Sequence, residues 1–454
     1  MKVSESMKRL IILSLSFLGM IISTGMYAYT WIEKYHQRYI YNVKLYFWGH
    51  ILMIFVYFIL LFFFNTTYGG MKIGFLKPMD VFFSQSFSLI CVNILTYMQI
   101  SLMEVKLVWV KGLLWMTVAQ IIFSGIWTMF CFWVYRKAFP PRKLLLVHGE
   151  RSIDDIMNKF AGRPDKYLIE KCVDISEGVE KVKKEILDSG MAVVLWDMPT
   201  TDRNTLFKFC YSRSIRVYMM PKITDVLIKG SDQLHLFDTP ILLSREFSLK
   251  IEQRIAKRLI DIICSLILLI ISAPIQLITA IAIKAYDGGP VLYKQIRCTT
   301  NGREFEILKF RSMRVDAEKD GVARLASKND SRITPIGKFI RTVRIDELPQ
   351  LFNILKGDMS FIGPRPERPQ IIAQYMEEMP EFALRMKVKA GLAGYAQVYG
   401  KYNTTPYDKL KLDLSYIENY SLWLDIKLML LTLKILFKPE STEGVESNQT
   451  TAMK

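Results

Sequence analysis

The chain has 454 residues, room for two or three domains, with 51% hydrophobic and 13% aromatic side chains beside 23% charged ones. That balance excludes both a disordered chain and a wholly water-soluble one; it indicates a membrane part joined to an ordinary soluble part. The net charge of +17 suits an anionic membrane surface and phosphate-bearing substrates, and no nucleic-acid motif accompanies it, so nucleic acid is not an expected partner. The six cysteines (Cys91, Cys131, Cys172, Cys210, Cys264 and Cys298) form no C-x-x-C pair, and three lie in apolar segments, which argues against structural disulfides and zinc.

Four apolar stretches open the chain. Leu10–Ala28, Leu45–Phe64, Val81–Met98 and Val108–Tyr135 each approach the ~20 apolar residues that a bilayer core requires. They define an expected four-helix transmembrane domain over residues 1–138. Lys2, Lys8 and Arg9 precede the first stretch; Arg136, Lys137, Arg142 and Lys143 follow the last. Both ends are therefore expected in the cytoplasm, although Lys34, Arg38 and Lys44 in the first external loop weaken the bias. A cleavable signal peptide is the alternative for the first stretch, opposed by its length and the lack of a small-residue cleavage site. No charge cluster inside the spans suggests a transport path.

From Lys143 the pattern changes. Lys143–Val147, Tyr167–Val173, Ala192–Trp196 and Arg216–Met219 read as strands, with helices Ile153–Phe160, Val179–Leu187 and Asn204–Ser212 between them. The alternation predicts a Rossmann-like parallel α/β domain over about residues 139–250. Its first strand leads into H-G-E-R-S, not G-x-G-x-x-G, so a dinucleotide is not expected, and His148 and Asp197 read as structural residues.

Residues 251–440 form the expected third, mixed α/β domain, and 441–454 a disordered polar tail. Leu259–Ile283 is apolar and long enough to span a bilayer, yet Lys257 and Arg258 flank one end and Lys284 the other. Positive charge on both sides argues for both ends on the cytoplasmic face. Pro274 removes one helical N–H and clashes with the preceding turn, so a sharp bend is expected there; a fifth spanning helix is the alternative. Further on, Ile336, Phe339, Ile340 and Val343 form an apolar face opposite Lys338, Arg341 and Arg344. That is the pattern of a helix lying in the membrane interface and equally of a core-facing helix. Ser421–Phe437, with Trp423, Asp425, Lys427 and Lys434, reads as interfacial.

The chemistry concentrates in Arg344 to Pro366, R-I-D-E-L-P-Q-L-F-N-I-L-K-G-D-M-S-F-I-G-P-R-P. Asp346 stands where an N-cap is favoured, Pro349 is tolerated in a first turn, and Leu348, Leu351, Phe352 and Leu355 mark an expected buried face. Free N–H groups and the helix dipole would favour an anion there. A carboxylate can attack a phosphoryl group to give an acyl phosphate, provided its repulsion from the phosphate is offset by Mg²⁺ or by bidentate arginine. Neighbouring side chains diverge on a helix, so Asp346 is assigned as nucleophile and Glu347 as metal ligand or orienting group. The plainer reading is acidic charge complementing a helix dipole. Arg365 stands between Pro364 and Pro366, which fix its backbone.

Several motifs in order over Arg254 to about Lys438 sharpen this reading. They are K-R-L-I-D (Lys257–Asp261), G-G-P-V-L-Y-K-Q (Gly288–Gln295), N-G-R-E-F-E-I-L-K-F-R-S-M (Asn301–Met313) and S-R-I-T-P-I-G-K-F-I-R (Ser331–Arg341), then R-I-D-E-L-P-Q-L-F-N (Arg344–Asn353), M-S-F-I-G-P-R-P (Met359–Pro366) and K-A-G-L-A-G (Lys389–Gly394). Together they resemble the bacterial monotopic phosphoglycosyltransferases, polyprenyl-phosphate sugar-phosphate transferases that begin capsule, exopolysaccharide and O-antigen assembly. The resemblance implies a UDP-sugar donor, undecaprenyl phosphate as acceptor, UMP as leaving group, Mg²⁺ as cofactor and a ping-pong route through the Asp of the Asp-Glu dyad, here Asp346 with Glu347. It implies a re-entrant helix over about 257–285 broken at Pro274, with Ser272 near the break where the family usually has Ser directly before the proline. It implies diphosphate contacts from Lys309 and Arg311, nucleotide-sugar contacts from Arg385 and Gln397, a structural, regulatory or dimer-forming α/β domain, and a catalytic domain on the cytoplasmic face of the inner membrane. Glucose or galactose is the expected sugar, with N-acetylated sugars left open. The rival functions are a catalytically silent membrane scaffold recruiting assembly machinery, and a nucleotide-sugar dehydrogenase or epimerase, which the missing Gly-rich fingerprint opposes.

Overall fold

A computed structural model describes residues 5–36, 46–149, 153–236, 238–244, 249–315, 330, 332–400 and 404–436. The expected tail at 441–454, and with it Arg38, Lys44 and the Glu150–Ser152 part of H-G-E-R-S, lies outside the described residues. The chain divides into two compact units, Met1–Met220 and Pro221–Lys454.

The first unit opens with α1 (Glu5–Thr30), α2 (Phe47–Tyr68), α3 (Pro78–Glu104) and α4 (Lys111–Ala138), all long and apolar enough to cross a bilayer. Their outward faces carry Leu, Ile, Phe and Trp side chains, while polar groups meet inside. Buried Gln120 donates to the Ser23 carbonyl and the Tyr57 hydroxyl, 2.9 Å each, and Tyr57 donates to Asn93 Oδ1 at 2.8 Å. Inside lipid such bonds tie helices together, because an unmade one leaves a polar group in hydrocarbon. Gly19 allows α1 to meet α4 closely: a Cβ there would lie 2.5 Å from Trp127 Nε1.

The same unit continues as β1 (Arg142–His148), α5 (Ile153–Ala161), β2 (Tyr167–Asp174), α6 (Val179–Ser189), β3 (Ala192–Trp196), α7 (Thr200–Ser212) and β4 (Val217–Met219). The four strands form one parallel sheet in the order β2-β1-β3-β4, as the alternation predicts. Leu145 and Val147 point into one apolar cluster, with Val182, Ile186 and Leu206 from the helices; Leu144 and Leu146 point into another, with Ile156. A parallel sheet covered on both faces reads as an unbroken apolar run, which is why L-L-L-V was recognisable.

The second unit begins with α8 (Ile223–Lys229) and the hairpin β5 (Asp232–Leu236) and β6 (Thr239–Leu243). Ile223 and Val226 join this unit's core, so the segment after β4 packs with the C-terminal fold. Next come α9 (Ile251–Asp287), the antiparallel pair β7 (Leu292–Cys298) and β8 (Glu304–Phe310), α10 (Pro335–Thr342), α11 (Gln350–Lys356) and β9 (Ser360–Ile362). The unit ends with α12 (Pro369–Glu378), β10 (Gly391–Ala393), α13 (Tyr395–Tyr399), α14 (Pro406–Glu418) and α15 (Leu422–Leu436), with β10 parallel to β9.

The helix α9 is a fifth element long and apolar enough to cross a bilayer, and with the bundle it marks a membrane protein. The helix is continuous from Ile251 to Asp287, with Pro274 inside it. Proline removes one donor there, and nearby Ser272 gives its hydroxyl to the Leu268 carbonyl while accepting from Gln276 at 2.8 Å. The helix is inside out for a soluble protein. Lys257, Asp261, Ser265, Ser272, Thr279 and Ile283 are buried, while Ile267, Ile270, Ile271, Leu277 and Ile278 are exposed.

Two amphipathic expectations divide. On α10, Ile340 is buried but Phe339 is 63% exposed and Val343 43%, so one helix serves both core and surface. On α15, Leu428 enters the core and Asp425 is buried, whereas Trp423 and Leu433 face outward.

Candidate active site

The motif R-I-D-E does not open a helix. Ile345–Glu347 is a single 3₁₀ turn, and α11 starts only at Gln350, with Pro349 as its N-cap and no side-chain cap bond. The N-cap role expected of Asp346, and the dipole argument with it, are therefore corrected. Pro349 explains the shift, because its ring is accommodated at the helix entrance and not one turn inside it. The expected apolar face also rotates: Leu351 and Ile354 are buried, Phe352 is 52% exposed. Arg344, just before the turn, has φ 55° and ψ 25°, a left-handed conformation rarely held by a side chain of this size and one that concentrates at functional sites.

Three cations converge on Glu347. Lys309 Nζ lies 3.5 Å and Arg365 Nη2 3.4 Å from Oε1; Arg344 Nη1 lies 3.6 Å from Oε2. Lys309 reaches in from the end of β8. That strand is fixed to α11 by Asn353, whose Oδ1 accepts from the Leu308 amide and whose Nδ2 donates to the Glu306 carbonyl. Asp346 has no hydrogen bond or ion pair among the described residues and is half-buried.

The two carboxyls are thus pushed apart. Burial raises Asp346, the charge of Glu347 raises it further, and Lys309, Arg341 and Arg344 oppose only in part, leaving it at about 6. Burial also works upward on Glu347, but Lys309, Arg365 and Arg344 outweigh it and hold the carboxyl well below the usual range. Burial depresses the Lys309 ammonium against the pull of Glu347. Adjacent carboxyls separated in this way are a common arrangement where two acids take different roles.

The other expected contacts fall elsewhere. Arg311 does not join Lys309: its guanidinium is buried against Asp287 in a bidentate pair and donates to the Pro290 carbonyl at 2.7 Å, pinning the end of α9. Arg385 is buried on Asp413 (2.8 Å) and donates to the Arg365 carbonyl at 3.0 Å, so it stands behind the site. Gln397 Nε2 lies 3.5 Å from the Leu392 carbonyl, and its Oε1 is buried without a partner. Gly391 and Gly394 allow close approach to backbone, not to an open cleft: a Cβ on Gly391 would lie 2.1 Å from the Gly363 amide nitrogen, and one on Gly394 2.2 Å from its carbonyl oxygen.

Sequence reasoning missed the tie between α9 and the site. Lys257 donates to the Ile362 carbonyl (2.9 Å) and Asp425 (2.6 Å); Arg258 donates to the Ile354 and Leu355 carbonyls at the end of α11. Asp261 accepts from Ser360 Oγ and the Phe361 amide at 3.0 Å. The signal was available: K-R-L-I-D places charges at i and i+4 on the first turns of an otherwise apolar helix, where each needs a buried partner.

No group of three or more His, Cys, Asp or Glu suited to a metal occurs among the described residues. Asp346 and Glu347 suit Mg²⁺ only in the mode where one or two carboxylates share the ion with substrate phosphates.

Residues 252–439 match the bacterial sugar transferase family. The chain is 43% identical over 183 residues to the UDP-N-acetylgalactosamine-undecaprenyl-phosphate N-acetylgalactosaminephosphotransferase of Aeromonas hydrophila, covering 40% of this chain and 43% of that protein. It is 41% identical over 211 residues to the UDP-glucose:undecaprenyl-phosphate glucose-1-phosphate transferase of Klebsiella pneumoniae, covering 45% and 43%. To the enzyme of that same name in Caulobacter vibrioides it is 38% identical over 190 residues, covering 41% of this chain and 71% of that one. The chain belongs to the bacterial sugar transferase family. It spans less than half the length of the Aeromonas and Klebsiella relatives.

Proposed function

We propose that this protein transfers a sugar-1-phosphate from a UDP-sugar to undecaprenyl phosphate, releasing UMP, by a ping-pong route through Asp346. The carrying observation is the contrast in the dyad: Glu347 is neutralised by three cations, while Asp346 has no hydrogen bond or ion pair among the described residues and is raised to about 6. A raised carboxylate is ionised at neutral pH yet more basic than an ordinary one, which suits a nucleophile. An Asp346 oxygen attacks the phosphorus bearing the sugar, and the bond to the bridging oxygen breaks with its electrons leaving on UMP. An oxygen of the lipid phosphate then attacks the same phosphorus, and Asp346 leaves as carboxylate.

Lys309, Arg344 and Arg365 offset the charge of the incoming diphosphate; their 3.4–3.6 Å approaches to Glu347 are loose enough to be exchanged for phosphate oxygens. Mg²⁺ held by Asp346 and Glu347 would supply further charge neutralisation on those oxygens.

The acceptor is a lipid, so the site must lie at a membrane surface. Exposed Phe339, Val343 and Phe352 belong to the segments on either side of Asp346 and suit the acyl–headgroup boundary, with Lys338 and Arg341 among the headgroups. Both ends of α9 are fastened to the same unit, through Lys257, Arg258 and Asp261 at one end and Ile283 and Asp287 at the other, while the apolar middle is exposed. A straight rise of about 1.5 Å per residue would separate Asp261 from Ile283 by about 33 Å. This supports a re-entrant course, bent near Pro274, that keeps the catalytic unit on the cytoplasmic face of the inner membrane, where UDP-sugars are found. Purified protein in detergent, given a panel of radiolabelled UDP-sugars with undecaprenyl phosphate, is expected to release UMP with at least one and to form the lipid-linked sugar. Release with none would leave the scaffold reading standing.

A further inference from the structure

We infer that Lys257, Arg297 and Arg385 are positioning residues that act through Arg365. Each takes one backbone carbonyl of the loop that presents it. Lys257 Nζ donates to the Ile362 carbonyl at 2.9 Å, Arg385 Nη2 to that of Arg365 at 3.0 Å, and Arg297 Nη1 to that of Pro366 at 3.0 Å. The Gly391 amide takes the Pro364 carbonyl at 2.9 Å, and the Gly363 amide donates to Ala393.

A carbonyl that accepts from a buried cation is fixed in direction, and fixing successive carbonyls fixes the peptide planes between them. Pro364 and Pro366 already restrict their own φ. With the planes on both sides of Arg365 set, its Cα–Cβ direction is set, and that direction carries the guanidinium to Glu347. Each cation has its own carboxylate: Lys257 has Asp425 at 2.6 Å, Arg385 has Asp413 at 2.8 Å, and Arg297 has Glu367 at 3.6 Å. Tyr416 holds the other oxygen of Asp425 at 2.7 Å. Each cation is thus paired in place, and what the loop takes from it is chiefly geometry. Because the three come from α9, β7 and the segment before β10, the loop is held from three separate elements. A lone surface loop would have none of this support.

The inference rests on the transferase reading, and a double-mutant cycle on the full chain separates the two. Arg385→Lys keeps the charge but lacks the fork that reaches Asp413 and the Arg365 carbonyl together. It is expected to lower kcat/KM for the UDP-sugar about 10–100-fold, the usual effect of removing a supporting group behind a site. The acid limb of the pH profile should stay in place. In an Arg365→Ala background the same change should cost no more than about twofold, the scatter of independent sites. Thermal unfolding is followed for every variant, and if Arg385→Lys does not fold, the same cycle with Arg297→Lys decides. A full loss repeated in the Arg365→Ala background, in folded protein, would overturn the inference and leave the transferase reading intact. Wild-type protein that releases no UMP would overturn both.

Discussion

Along Ile362–Pro366, four backbone carbonyls are taken by Lys257, Gly391, Arg385 and Arg297; in the turn Ile345–Glu347, Asp346 makes no hydrogen bond or ion pair among the described residues. The first region is over-determined and the second is left in want of something. That difference matches a division of labour in phosphoryl transfer, where charge stabilisation works best from groups that need not move and a nucleophile works best when nothing already satisfies it. The left-handed Arg344 belongs with the second region, since strain there is held by the surrounding fold.

The largest expected effect lies in the unsatisfied region. Asp346→Asn keeps the shape and removes the nucleophilic oxygen, and donor turnover should fall on the order of 10⁴-fold or more, measured as UMP release. An Asn variant with wild-type turnover would reduce Asp346 to a bystander. Next comes the fixed region: Arg365→Ala should cost about 2–4 kcal/mol of transition-state stabilisation, toward the lower figure because the side chain is 44% exposed. Arg365→Lys should not restore the loss, because an ammonium lacks the planar fork. Equal kcat/KM for wild type and the Lys variant would make Arg365 a simple point charge.

The smallest effect is a shift in pH dependence. Asp346, raised to about 6, is protonated below that pH and ionised above it. Since only the carboxylate attacks, kcat/KM should be level above pH ~6 and fall about tenfold per unit below it. Lys309 lowers Asp346 and Glu347 raises it. Lys309→Met should therefore move the acid limb to higher pH, and Glu347→Gln should move it to lower pH. Limbs that stay fixed in both variants would show that the pair does not set the nucleophile's ionisation.

The same contrast explains what could be read from the sequence. The parallel sheet was legible because β1 and β3 are covered on both faces and leave an unbroken apolar run. The four N-terminal helices were legible from length and hydropathy, with ends displaced by a few residues. Asp346, Glu347, Lys309 and Arg365 stood out as charges in short fixed motifs, and the structure gathers Lys309 and Arg365 around the Glu347 carboxylate. What was not legible depends on long-range partners. Arg311 looks like a phosphate ligand and Arg385 like a nucleotide-sugar contact until Asp287 and Asp413 are found beside them. The 3₁₀ turn at Asp346, with α11 delayed to Gln350, was likewise not conveyed by the local cap signal.

The central claim is that Asp346 itself carries the sugar phosphate. Intact-protein and peptide mass spectrometry of wild-type protein, incubated with an accepted UDP-sugar and no undecaprenyl phosphate, tests it directly. A sugar-phosphate mass is expected on the peptide holding Asp346, formed with release of UMP, discharged on adding undecaprenyl phosphate and missing from Asp346→Asn. Steady turnover with no adduct, or an adduct on another residue, would contradict it.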